Sequence, residues 1–196
     1  MTQPVLKPVE SRNDGAMERI EGHLLIAGGG LFDPNFRQAV VLVVEHNPDG
    51  ALGVVLNRPS TVTVGQAAPA LSGVTSPDER LYVGGPVQPQ AAVILAQFEH
   101  PDLATQLVFD SVGVIGDENE DLGSPGLLRK RVFAGYAGWA AGQLDKELES
   151  GDWILELPEP DDVFTDSPEE LWSSVLKRMG SAYALLAHMP FDPSTN

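Results

Sequence analysis

The stretch Arg37–Arg58, RQAVVLVVEHNPDGALGVVLNR, decides how the rest of the chain is read. It opens on a Val-rich run, Ala39–Val44, with no polar interruption. Such a run suits a strand covered on both faces. NPDG follows at 47–50, with Pro in the second and Gly in the fourth position, the pattern of a type I turn. A second apolar run then leads back to Asn57 and Arg58, so the whole reads as a hairpin. With Asn47–Gly50 as the turn, His46 falls opposite Ala51, Val44 opposite Gly53, Leu42 opposite Val55 and Val40 opposite Asn57; a bulge would slip this register by one. At about 3.3 Å per residue, the two ends lie on the order of 20 Å apart. His46, Asn47 and Asp49 therefore belong with the turn, where local capping accounts for them. Arg37, Asn57 and Arg58 gather at the opposite end. Two guanidiniums and an amide there form a candidate anion site. The alternative is that each Arg pairs with a carboxylate or holds a loop carbonyl.

On either side of the hairpin the chain reads as a series of short strands with a few helices. GHLLIAGGG at 22–30 is a strand running into glycines, and RLYVGGPVQPQAAVILAQF at 80–98 is strand, tight turn, strand. TVTVGQAAPALSGV at 61–74 reads as a short strand followed by a short helix. TQLVFDSVGVIG supplies one or two strands, and DENEDLGSPG at 117–126 an exposed acidic loop. The segment from Arg129 reads as a strand to about Tyr136. A helix follows on the spacing of Trp139, Gln143, Leu144, Glu147 and Leu148, with Gly151 as its stop. DWILELP is a further strand. Ser167, Pro168 and Glu170 have the pattern of a capped helix start, with Leu171, Val175, Leu176 and Met179 as its apolar stripe and Gly180 as its end. Residues 1–18 and 191–196 read as tails, the first of them mobile, around one domain over 19–190.

Of 196 residues, 42% are hydrophobic and 20% charged, enough apolar material for a substantial core. Cysteine is absent, which removes disulfides, thiolate metal sites and Cys nucleophiles from consideration. The opening residues hold no apolar core of a secretory signal, and no apolar run approaches the roughly 20 residues of a membrane span, so a cytoplasmic protein without membrane attachment is expected. Twelve basic residues face 28 acidic ones, a net charge of −16. That field repels nucleic acid and anionic lipid and favours a basic protein partner.

FRQAVVLVVEHNPDGALGVVLNRP, RVFAGYAGWAAGQLDKELESGDW and VGGPV between them resemble the AlgH/YqgE-like bacterial proteins, and LWSSVLKRMG fits the same pattern. The similarity runs from about residue 22 to 180. It implies an α+β fold, a single domain with a mixed, partly barrel-like sheet and flanking helices. It also implies an association with transcriptional regulation, but no reaction and no catalytic residue.

Gly28, Gly29 and Gly30 follow a strand, where phosphate-binding glycines lie, yet neither Gly-x-Gly-x-x-Gly nor Gly-Lys-Ser/Thr is completed. A flexible strand exit is the alternative. His23, His46, His100 and His188 never recur at metal-ligand spacing, and no Gly-x-Ser-x-Gly elbow is present, so no metal, cofactor or catalytic residue is assigned. Eleven acids between Asp145 and Glu170 accompany Lys146 alone, a solvated face or a docking field for a basic partner. RKR at 129–131 is too short for a strong phosphate contact. Residues 168–188 have a helix–Gly–helix outline, but SAYALLAHM lacks the Arg, Lys, Asn or Gln that reads base edges. The function expected is therefore non-enzymatic action through protein contacts, in gene regulation. A small-anion or nucleotide site built from Arg37, Asn57, Arg58 and Gly28–Gly30 is the alternative.

Overall fold

The computed structural model describes residues 19–73, 75–116 and 126–190. The two expected tails and all of the acidic loop but Gly126 lie outside these residues. The described residues form one α+β domain around a ten-stranded, open, mixed sheet. Its path runs β10 (Trp153–Glu156), β1 (Leu24–Ala27), β2 (Val40–Asn47), β3 (Gly50–Val55), β9 (Leu127–Ala140), β6 (Val87–Phe98), β8 (Val112–Ile115) and β7 (Gln106–Phe109). Off this path, β4 (Pro59–Thr63) pairs β5 (Arg80–Val83), and β5 pairs β9 in parallel.

The Val-rich run of β2 explains why the sheet has cores on both faces. Val40, Leu42 and Val44 face a core with Leu24, Ile26, Phe133 and Trp172, while Val41 and Val43 face a second with Leu25, Trp139 and Trp153. Period-2 alternation puts each set on its own side, so no position in the run can be polar. A third core, beneath α1 (Val64–Ala67), gathers Ile94, Phe98, Ile115 and Val132.

The hairpin has the expected turn, with Asn47 paired to Gly50 and His46 to Ala51. Asn47 Oδ1 accepts the N–H of Asp49 at 2.8 Å, an Asx turn. A bulge at Val44 then shifts the register by one: Val43 faces Gly53, Leu42 faces Val54 and Val41 faces Val55. The strand ends at Val55, and Pro59 opens β4.

Strand β9 is the spine. Ala137–Ala140 pair β3, while Leu127, Arg129–Ala134 and Tyr136 pair β6. The backbone at Gly84–Gly85 passes so close to β9 that a Cβ on either glycine would collide with Gly135 or Tyr136 main chain. Pairing with β3 also corrects the sequence expectation at Tyr136: the strand continues to Ala140, so Trp139 is a strand residue and α2 is Gln143–Glu149. Gly151 stops α2 as expected, with φ +77° and its N–H on Leu148 O. A second correction falls on Ser167, whose side chain caps nothing; its N–H donates to Thr165 Oγ1, and Pro168–Glu170 is a 3-10 turn leading into α4 (Leu171–Arg178). The segment after Gly180 is two 3-10 turns, Ser181–Tyr183 and Leu186–His188, not a second helix of a helix-turn-helix.

Candidate functional site

The hairpin base, the glycine loop and the chain's last turns meet at one corner of the molecule. Strand β1 delivers Gly28 and Gly29, and the loop before β2 delivers Arg37 and Gln38. The C-terminal elements bring Trp172 from α4 and Met189 from the last turn. Together with Leu31, Phe32 and Pro190 they line a cleft of about 240 Å3. Its wall is apolar, with Trp172 buried at 4% exposure and Phe32 standing out at 66%. A Cβ on Gly29 would meet Leu186 Cδ1 at 3.0 Å, so side-chain-free backbone keeps this wall thin. Gly30 has open space about it and does not line the cleft.

Asn57 sits behind this wall, buried at 6% exposure. Its Oδ1 accepts the N–H of Val40 at 2.9 Å and its Nδ2 donates to Gln38 O at 2.8 Å. The amide thus continues the sheet ladder where β2 and β3 part. Arg58 donates to Asn57 O at 3.2 Å and, through Nη2, to Arg37 O. Burial lowers its pKa from the usual arginine value. Arg58, Asn57 and Glu169 line a second cleft that shares Gln38 and Trp172 with the first. Arg37, Asn57, Arg58, Gly28 and Gly29 are therefore brought together, with Asn57 and Arg58 holding backbone.

Sequence reasoning missed Gln38, Trp172 and Met189. Gln38 has φ +50°, a left-handed backbone uncommon for a side chain larger than Gly. Its Nε2 donates to Met189 O at 2.9 Å, and its own carbonyl takes Asn57 Nδ2, which holds it there. Gln38 follows an arginine in an otherwise unremarkable loop, and no local pattern marks it. Trp172 donates its indole N–H to Ala27 O at 3.0 Å, tying α4 to the end of β1.

Other candidates have structural work. Arg129 Nη1 meets Asp161 at 2.7 Å and its guanidinium lies 4.8 Å from the Phe164 ring centre. Arg131 donates to the carbonyls of Val163 and Thr165 and stacks over Tyr82; its pKa is lowered, chiefly by burial. The Arg178 guanidinium grips Asp162 with two hydrogen bonds, which raise its pKa and tie α4 to α3 (Pro160–Val163). His46 is buried with Nε2 3.7 Å from Asp145. Among the described residues, no three His, Asp or Glu are grouped to hold a metal ion. No described helix is long and apolar enough to cross a membrane.

The AlgH-like family model matches residues 24–184. A UPF0301 protein of Mycobacteroides abscessus is 42% identical, the match covering 89% of this chain and 87% of that protein. A UPF0301 protein of Streptomyces coelicolor is 39% identical over 90% and 95% of the two chains. Among solved structures, a Corynebacterium diphtheriae protein superposes with a TM-score of 0.74 at 29% identity, covering 88% of this chain and 94% of that one. The AlgH protein of Pseudomonas aeruginosa superposes with a TM-score of 0.67 at 31% identity, covering 89% and 96%.

Proposed function

We propose that this chain, which belongs to the AlgH-like family, is a non-enzymatic protein that acts by binding a basic protein partner. The observation that carries this reading is the corner cleft, in which an apolar wall with exposed Phe32 and Met189 meets solvent on a highly charged molecule. A concave apolar wall open to solvent is a place where a partner's apolar side chain gains by being buried. The cleft is smaller than the 300 Å3 or more typical of sites for drug-sized ligands or cofactors, which favours a side chain as its occupant over a nucleotide. The acids from Asp145 to Glu170 supply long-range attraction for a basic partner; Asp161, for one, has an 85% exposed side chain. In the regulatory role implied by the family resemblance, the protein would work through such a partner and not through DNA, since Arg129 and Arg131 are engaged in holding the α3 segment.

The test is affinity capture with the wild-type chain and with a Phe32→Ser/Met189→Ser double variant of unchanged melting temperature. The reading expects a partner retained at low salt, released at high salt and lost from the variant. Identical partner sets for the two proteins, or none at low salt, would overturn it.

A further inference from the structure

We propose that the outer edge of β10 accepts an extended, basic segment of a partner protein, added to the sheet as an antiparallel strand. The inference goes beyond the role given to the corner cleft. It takes from that reading only the basic character of the partner and places the contact on a different element.

The two ends of the sheet differ. At one end, the outer side of β7 lies against the rest of the molecule: Gln106 Nε2 donates to Val44 O at 2.9 Å, and a Cβ on Gly22 would come within 2.6 Å of Val108 O. At the other end, β10 pairs β1 alone. Gly28 N–H donates to Asp152 O, whereas Ala27 N–H donates to Ala39 O on the β2 side. Main-chain groups alternate in direction along a strand, so Ile154 and Glu156 face β1, while Trp153 and Leu155 point away from it. Among the described residues, none bonds the N–H or C=O of half-buried Leu155. Unpaired main chain of this kind is costly and is a template for a further strand.

The side chains along the edge say what that strand is. Ile154 packs on the first core and Trp153 and Leu155 on the second. By the same alternation, Asp152 and Glu156 flank Ile154 on one face, and Leu157, 65% exposed, follows Leu155 on the other. A strand that alternates Lys or Arg with apolar residues matches both faces at once. Its cations lie beside the carboxylates and its apolar side chains beside the leucines. Recognition by strand addition takes its affinity from main-chain bonds and its specificity from alternate side chains. Nearby Arg178 does not compete, since Asp162 and Glu159 hold it. A second copy of this chain is the wrong occupant. The register that sets Trp153 of each copy against Leu155 of the other also sets Asp152 against Glu156 twice, and like charges directly opposite destabilise a sheet.

The test uses the full chain and a fluorescently labelled, amidated octapeptide of four Lys-Val repeats. A second peptide, four lysines followed by four valines, has the same composition and charge. Binding is followed by fluorescence anisotropy at low salt and by amide exchange in NMR spectra. The alternating peptide is expected to bind about tenfold more tightly than the block peptide, and to slow exchange of the Leu155 amide about tenfold while leaving Ile154 unchanged. In the antiparallel register the valine amides face β10, so N-methylation of every Val should abolish binding and N-methylation of every Lys should not. Asp152→Lys/Glu156→Lys, at unchanged melting temperature, should weaken binding about tenfold. Equal binding of the alternating and block peptides, or any other N-methylation pattern, would overturn the proposal. So would a Leu155 amide that exchanges as slowly as Ile154 in the protein alone: the edge then belongs to this chain's own residues if dilution leaves the protection unchanged, and to a second copy if dilution removes it. The Phe32→Ser/Met189→Ser variant should bind the alternating peptide as the wild type does. Absence of peptide binding, beside a captured partner that this variant loses, would overturn this inference alone; intact peptide binding without a cleft-dependent partner would overturn the function proposed for the cleft alone.

Discussion

The two ends of the β2–β3 hairpin handle their polar groups in opposite ways. At the turn end, the ladder continues to the last pair, Asn47 with Gly50, and Asn47 serves neighbours close in sequence, while buried His46 lies against Asp145 of α2. The packing around it is equally local: Glu147 Oε2 accepts the indole N–H groups of Trp139 and Trp153, each at 2.8 Å, and pins α2 to the sheet. At the base end the strands part, and the ladder is replaced by side chains. Asn57 and Arg58 bond the main chain of residues 37–40, and Gln38 reaches 151 residues along the chain to Met189. One end is therefore closed by backbone, and the other is propped open by side chains, which is why a cleft forms there. A hairpin can present a binding surface where its pairing stops, provided other groups take over the backbone bonds.

If this contrast is right, substitutions at the base should cost more than matched ones at the turn. Asn57→Ala leaves the buried Val40 N–H and the half-buried Gln38 C=O without their partner and is expected to lower unfolding free energy by about 3 kcal/mol, measured by urea denaturation. A loss below about 1 kcal/mol would mean that water takes over both bonds. Gly50→Ala, at φ +144°, pushes a Cβ into Trp139 O and should cost about 2 kcal/mol at the turn. Glu147→Gln keeps an acceptor for the indoles but removes its charge; about 1 kcal/mol should be lost, with a shift in tryptophan emission on the second core. Pro48→Ala frees the unfolded chain and nothing else, so about 0.5 kcal/mol is expected from thermal melting. An effect there as large as that of Asn57→Ala would erase the distinction between the ends.

The same contrast explains what could be read from residue order. The turn was legible because NPDG is a local signal, with Pro and Gly each meeting a backbone demand within four residues. The bulge at Val44 was not, because Ala39–Val44 looks the same after a one-residue slip and both faces are buried. Trp139 was misplaced for an instructive reason. Its spacing to Glu147 reports a true contact, but one made from a strand across to a helix. At the base, strand counting alone placed Arg37, Asn57 and Arg58 together. It offered a loop carbonyl as one alternative for the arginines, which Arg58 takes, but could not choose it, because that depends on where β2 and β3 separate. Nor could it supply Trp172 or Met189, which arrive from more than a hundred residues further on. The capping motif at Ser167 failed where the Pro168–Glu170 segment tightened into a 3-10 turn.

The central position of β9 bears on how the molecule is made. Every strand between Gly50 and Phe98 except β4 pairs directly with this one segment, which is synthesised after all of them. Until Ala140 has emerged, the β1–β3 region and the β5–β6 region have no strand to join them and must wait with apolar faces uncovered. Pairings of such sequence separation fold slowly, in the millisecond-to-second range for domains dominated by them. The newborn chain thus passes through a period in which its Val-rich β2 is a liability for aggregation, and its strong negative charge is well suited to keeping copies apart during that interval.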